Sequence, residues 1–215
     1  MSEENRKAIR ISVRNLVEFV LRSGDIDNRR SGNAQKDAML AGGRIHRKIQ
    51  KRMGSGYRAE VPLKHEVQDE EQEITLLVEG RADGIFTENG IPVIDEIKGM
   101  YTDISRLEEP IEVHLAQAMC YGYFYCCDKD LDGIRLQMTY CNLETEEIKR
   151  FQTDRSREEL ETWFSGVVHE YFKWARYLYH HELTRDASIG HLEFPFPYRA
   201  GQRDLVVSVY RPVSR

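Results

Sequence analysis

The stretch VEGRADGIFTENGIPVIDEIKGMYTD, Val78 to Asp103, constrains the fold of this chain more than any other. Two apolar runs flank Asn89-Gly90, the pair best suited to a two-residue type I′ turn because both central residues need positive φ. A hairpin follows, with Glu88 paired to Ile91 and every later pair summing to 179. In that register Asp83 lies opposite Glu96 and Arg81 opposite Lys98, and the period of two along a strand puts all four on one face. Asp95 falls on the other face and reads as structural or as a support behind the metal ligands.

Facing carboxylates with Cβ atoms about 5 Å apart repel and destabilise a sheet. Ile85, Ile94 and Ile97 make the hairpin half-buried, where charge is costly unless it is paired or metal-bound. A hard divalent cation between the two acids removes the repulsion. Lys98, on the same face, is suited to orient a water and stabilise anionic charge as that water attacks a phosphodiester. An edge hairpin with solvated charges is the plainer alternative.

The rest of the chain sets this hairpin in a mixed α/β frame. IRISVRNLVEFVLR, from Ile9 to Arg22, reads as a first helix with Ser12 as its N-cap, broken by SGDIDNRRSGN. A basic second helix runs to the Gly54–Gly56 break. Strands are expected over Val61 to Val67, Glu73 to Thr87 and Ile91 to Lys98, a buried helix over EVHLAQAMCYGYFYCC, and strands over Ile134 to Cys141 and Glu147 to Thr153. Ser156 with Glu159 forms a capping-box pattern opening a long helix toward His181. A central mixed sheet flanked by helices is the expected architecture.

At 215 residues the chain suits one well-buried domain with a short appendage: 1–190 as the domain and 191–215 as a tail. The four cysteines lack a Cys-x-x-Cys pair and read as reduced, mostly buried thiols. The net charge of -5 weighs against a protein that coats nucleic acid non-specifically. No apolar run reaches the roughly 20 residues needed to cross a bilayer, and MSEENRKAIR lacks a signal-peptide core, so the expected location is cytoplasmic.

Four motifs together resemble the PD-(D/E)XK nuclease superfamily and its RecB-like exonuclease branch. Gly80-Arg81-Ala82-Asp83 is similar to the first acidic motif, and Asp95-Glu96-Ile97-Lys98 to the Glu-x-Lys strand. Gly42-Gly43-Arg44-Ile45-His46 resembles the Gly-x-x-x-His helix, and Gln117-Ala118-Met119-Cys120-Tyr121 the Gln-x-x-x-Tyr helix. The resemblance implies a restriction-endonuclease-like αβββαβ core and a metal-dependent deoxyribonuclease. It further implies Asp83, Glu96 and Lys98 as catalytic residues, with His46, Asp83, Glu96 and the Ile97 carbonyl around Mg²⁺ or Mn²⁺. Imidazole in an oxygen shell favours Mn²⁺.

Gln117 and Tyr121, four apart on a helix, would contact DNA beside the cut. Arg44, Arg47, Lys48 and Lys51 would contact phosphates, or else form a solvated helix face. Trp163, Tyr171, Trp174 and Tyr177 read as helix packing. Some relatives carry an iron-sulfur cluster with one cysteine ahead of the core; no cysteine precedes Cys120 here, so none is expected.

The tail LEFPFPYRAGQRDLVVSVYRPVSR resembles the stretch just before the nucleotide-binding loop of DinG- and XPD-type helicases, which implies that Gln202 sits near adenine. No Gly-x-x-x-x-Gly-Lys-Ser/Thr loop occurs in the sequence. The tail therefore suggests a partnership with a helicase, in cis or in trans, in DNA repair or processing; a packed C-terminal strand or arm is the alternative. The functional expectation is a DNA exonuclease acting on single-stranded or frayed ends. The alternatives are an inactive DNA-binding module and a structure-specific endonuclease.

Overall fold

The computed structural model describes residues 6–22, 33–69, 71, 73–192 and 196–213. The break expected at SGDIDNRRSGN lies outside them, as do residues 193–195 and 214–215 of the tail. The chain forms two compact units, Met1–Arg176 and Tyr177–Arg215.

The first unit holds a six-stranded mixed sheet. Strand β1 (Lys7–Ser12) leads into α1 (Val13–Leu21), followed by α2 (Asn33–Arg52). Three consecutive strands come next, β2 (Arg58–Gln68), β3 (Ile74–Glu88) and β4 (Ile91–Met100), then α3 (Glu112–Lys129). β5 (Gly133–Asn142), β6 (Ile148–Ser156) and α4 (Arg157–Ile189) complete the core, which has the expected αβββαβ order from α2 onward.

The first helix starts later than its periodicity predicts. Ile9 and Ile11 belong to β1, which pairs in parallel with β3 from Lys7↔Ile74 to Ser12↔Glu79. In Ile9–Val13 the β-branched residues alternate with polar ones, which fits a strand as well as a helix, and the neighbouring β3 edge decides. Ser12 still caps α1, its side chain accepting from the Asn15 N–H at 3.1 Å. The capping box of α4 closes reciprocally, Ser156 N–H to Glu159 Oε2 at 2.8 Å and Glu159 N–H to Ser156 Oγ at 3.1 Å. That helix continues past His181 to Ile189.

Asn89 and Gly90 have φ of 52° and 82°, as the turn requires, and Glu88↔Ile91 through Gly84↔Asp95 keep the sum of 179. There the β3–β4 ladder ends. β2 covers one edge of β3 from Thr75 to Ile85, so β1 and β4 share the other edge: β1 alongside residues 74–79, β4 alongside 84–88. Between them, residues 80–83 face a window with no strand beside it among the described residues. Beyond Asp95, β4 pairs only with β5, in parallel, from Val93↔Arg135 to Met100↔Asn142.

Core side chains hold the window's walls in place. Val13, Leu16 and Val17 bury α1, while Ile45 and Ile49 anchor α2 against Ile97 and Cys141. His65 of β2 stacks on Phe124 and meets Tyr123 and Phe164 edge-on, tying α3 and α4 to the sheet. Cys120, Cys126 and Cys141 are buried free thiols and Cys127 is half-buried. The second unit holds the end of α4 and α5 (Gln202–Val213), so the tail's arm is helical. Gln202 Oε1 accepts from the Arg199 N–H at 3.0 Å, a cap on that helix. Among the described residues no helix is long and apolar enough to cross a membrane.

Candidate active site

A cleft of about 630 Å³ opens at the window, lined by Arg14 and Glu18 of α1, Gly42, Gly43 and His46 of α2, Ile97 to Gly99 of β4, and Val113, His114 and Gln117 of α3. Three helices and a strand end thus bring His46, Ile97, Lys98 and Gln117 of the predicted set to one cleft.

Asp83 sits at the window's edge and is held from two directions. Its Oδ2 accepts from the Ile97 N–H at 2.7 Å, taking the place of the missing ladder bond. Its Oδ1 lies 3.2 Å from His46 Nδ1. A strand residue points its N–H and C=O to the same edge, so the Ile97 carbonyl is also directed into the window. Burial disfavours a charge on His46, but the Asp83 carboxylate more than offsets it and its pKa is raised.

Glu96 is buried. Its Oε1 accepts from Lys98 Nζ at 2.7 Å, while Oε2 is buried with no hydrogen-bond partner. Burial lifts its pKa to about 7, Lys98 working against the shift and Asp83 with it. Lys98 also donates to Gln117 Oε1 at 2.7 Å, so two of its three N–H groups are committed and the third is free to face the cleft.

The expected repulsion between the acids is thus met in the protein itself, by His46 on Asp83 and Lys98 on Glu96. One expectation fails: Asp83 and Glu96 are not a ladder pair, because the strands separate after Gly84↔Asp95. Arg81 goes with that failure. It is exposed and lines a separate groove with Pro62, Lys64 and Glu79.

Tyr121 is buried against β3, where a Cβ on Gly80 would come within 2.6 Å of its hydroxyl. Burial, with Glu96 and Asp83 nearby, raises its pKa. Gln117 lines the cleft and is otherwise buried, its amide oxygen on Lys98. Arg44, Arg47, Lys48 and Lys51 are exposed and do not line the cleft. At 3.6 residues per turn they lie well round α2 from His46, and Lys48 is paired with Glu146 of the β5–β6 turn.

Asp95 turns away from the cleft into a closed network. Tyr57 Oη donates to Oδ2 at 2.9 Å, and Thr139 Oγ1 and Gln137 Nε2 donate to Oδ1 at 2.6 and 3.0 Å. Gln137 is in turn linked to Gln152 of β6 at 2.8 Å.

Sequence reasoning missed His114, Arg14 and Gln50. His114 is held with its pKa lowered to about 4 by burial, with Lys98 and Arg14 adding to the shift; its Nδ1 is 3.3 Å from the Tyr140 hydroxyl. Gln50 donates to the Asp83 carbonyl at 2.9 Å. Its spacing of four from His46 on a helix was the available signal.

The donor set fits a hard divalent cation. Glu96 Oε2 is an acceptor buried without a donor, Asp83 and the Ile97 carbonyl supply further oxygens, and His46 supplies a nitrogen. As they stand, no three or more His, Cys, Asp or Glu side chains among the described residues are placed to hold a metal ion together.

No protein-family model matches the chain, and no curated protein sequence matches it. Among solved structures, that of SSO0001 is similar over 79% of this chain and 78% of its own, at TM-score 0.48 and 17% identity. An alkaline exonuclease, LHK-Exo, from Laribacter hongkongensis is similar over 81% of this chain and 94% of its own, at TM-score 0.42 and 11% identity. The same enzyme in complex with dAMP gives TM-score 0.42 and 14% identity over 81% and 93%.

Proposed function

We propose that this chain is a divalent-metal-dependent DNA nuclease that hydrolyses phosphodiester bonds at single-stranded or frayed ends. The observation that carries the reading is the orphaned, buried Glu96 Oε2 beside the Asp83–His46 pair at the mouth of a cleft. A buried carboxylate oxygen without a donor costs about 1–3 kcal/mol or more, and a cation removes that cost.

Asp83, Glu96, His46 and the Ile97 carbonyl would hold Mg²⁺ or Mn²⁺. When bound, such an ion polarises the phosphoryl group and acidifies a water. Lys98, fixed between Glu96 and Gln117, presents its remaining N–H to the cleft, where it orients the attacking oxygen and stabilises charge on the phosphoryl oxygens. Gln117 keeps that ammonium in place, and Tyr121 walls the site against β3. Arg44, Arg47, Lys48 and Lys51 contribute a general attraction for the polyanion.

A second reading has one observation in its favour: His46 and Lys98 already pair with the two acids, which suits a DNA-binding module that needs no ion. End-labelled single- and double-stranded DNA incubated with Mg²⁺, Mn²⁺ or EDTA separates the two. Cutting that needs a metal and vanishes in Lys98→Ala supports the nuclease, whereas DNA binding without cutting under any metal supports the module.

The tail extends the reading to a helicase partner that supplies frayed ends, with 1–190 as nuclease domain and 191–215 as the approach to the helicase. A Gly-x-x-x-x-Gly-Lys-Ser/Thr loop encoded downstream in the same or the neighbouring reading frame is the expected finding. Its absence from both removes the partnership from the proposal.

A further inference from the structure

Asp83 is released by the sheet on both of its edges. On the window side no strand of the described residues adjoins it, and on the other side the β2–β3 register passes from Ala59↔Gly84 to Val61↔Ala82 with no pair between Glu60 and Asp83. The cause lies in Glu60, whose φ of 53° is left-handed and turns its peptide groups out of the ladder. A non-glycine residue held there is strained and persists only where its surroundings impose it.

Gln50 supplies the missing support. Its Nε2 donates to the Asp83 carbonyl at 2.9 Å and to Glu60 Oε1 at 3.2 Å. A primary amide has two N–H donors, and here both meet oxygens that can only accept, so the orientation of the amide is fixed. Gln50 follows His46 by one helical turn, and the two share a face of α2. One turn of α2 therefore grips Asp83 twice, His46 at the carboxylate and Gln50 at the main chain.

We infer that Gln50 is a positioning residue: through the main chain of Asp83 it aims that carboxylate at the metal position, and Glu60 orients Gln50 for the task. The inference rests on the metal-dependent reading above and names a part of that site which no motif marks. Gln50 does not line the cleft, so its effect passes through Asp83.

The test uses the full chain with Gln50→Leu, Gln50→Glu, Glu60→Ala and the Gln50→Leu/Glu60→Ala double variant. Mn²⁺ affinity is measured by titration calorimetry, kcat and KM on end-labelled DNA as a function of Mn²⁺, and folding by thermal melting. Gln50→Leu and Gln50→Glu are expected to weaken Mn²⁺ binding about tenfold, the size of a lost outer-sphere contact, and to lower kcat while KM for DNA stays within about twofold. Glu60→Ala, which leaves the Asp83 contact intact and disturbs the fold least, is expected to weaken Mn²⁺ about threefold, with no further loss when added to Gln50→Leu, as coupled residues require. Wild-type Mn²⁺ affinity in the folded Gln50 variants, or an effect confined to KM, overturns the inference. Asp83→Ala distinguishes the two levels. If it loses Mn²⁺ while Gln50→Leu does not, the Gln50 role alone falls; if it too binds Mn²⁺ normally, the metal site itself is wrong.

Discussion

Asp95 and Glu96 are adjacent in sequence and both are buried, yet their surroundings are opposite in kind. Asp95 receives three hydrogen bonds, from Tyr57, Thr139 and Gln137, and both of its oxygens are satisfied. Glu96 receives one bond, from Lys98, and keeps an oxygen with none. Burial raises the pKa of both. Alternation along one strand thus delivers a finished structural acid to one face and an unfinished acid to the other, and an unfinished buried acid is where a ligand is expected.

The largest expected effect tests that division directly. Glu96→Gln and Lys98→Ala should each lower cutting by about 10²–10³-fold or more, the range for losing one electrostatic stabiliser, and Glu96→Gln should do so with little loss of stability. Asp95→Ala should do the reverse: it strands three donors, two of them buried, and should cost roughly 2–4 kcal/mol of folding stability by chemical denaturation, while the folded fraction cuts within about tenfold of wild type. If Asp95→Ala kills cutting at full stability, the division between the two acids is broken.

Next in size is the dependence of stability on pH without metal. Glu96 titrates near 4.5 when unfolded and at about 7 when folded, so the folded state binds the extra proton and stability falls as pH rises through that window. His46 acts in the same direction: its folded pKa is raised above 6.5, so the stability it confers below 6.5 is lost as pH climbs through the folded value. The expected result is a Tm several degrees lower at pH 8 than at pH 5. The slope should shrink in Glu96→Gln and on adding Mn²⁺; a flat profile in the metal-free wild type contradicts the placement of Glu96.

The smallest effects come from two glycines of β3. A Cβ on Gly84 would lie 1.8 Å from the Tyr57 ring, so Gly84→Ala must displace Tyr57 from Asp95 and should cost about 1–3 kcal/mol with little change in cutting. At Gly80 the neighbour is the Tyr121 hydroxyl, at 2.6 Å. Gly80→Ala should cost less stability and more activity, a severalfold loss of kcat. Equal effects of the two substitutions on both measurements would blur the contrast they are meant to sharpen.

Much of this was legible in the sequence because it depends on local rules. Asn89-Gly90 fixed the register, the register separated Asp95 from Glu96, and Ser12, Ser156 and Glu159 announced their caps. What was hidden depends on non-local competition. Nothing in IRISV says that its first residues will take half of an edge of β3, and only that partial occupation opens the window between Ser12 and Asp95. The same gap explains why the register was right while the Asp83–Glu96 ladder pair was not. Gln50 offered only its spacing of four from His46, because its partners are a main-chain carbonyl and a left-handed Glu60, and neither leaves a pattern in residue types.

The window also bears on association. An unpaired strand edge ordinarily invites another chain to zip onto it, but this one is four residues long, about 13 Å at 3.3 Å per residue, and closed at both ends by strands of the same sheet. A foreign β-strand has no room to lie down there. The opening thus leaves a bare stretch of sheet edge that refuses the commonest intruder on such an edge.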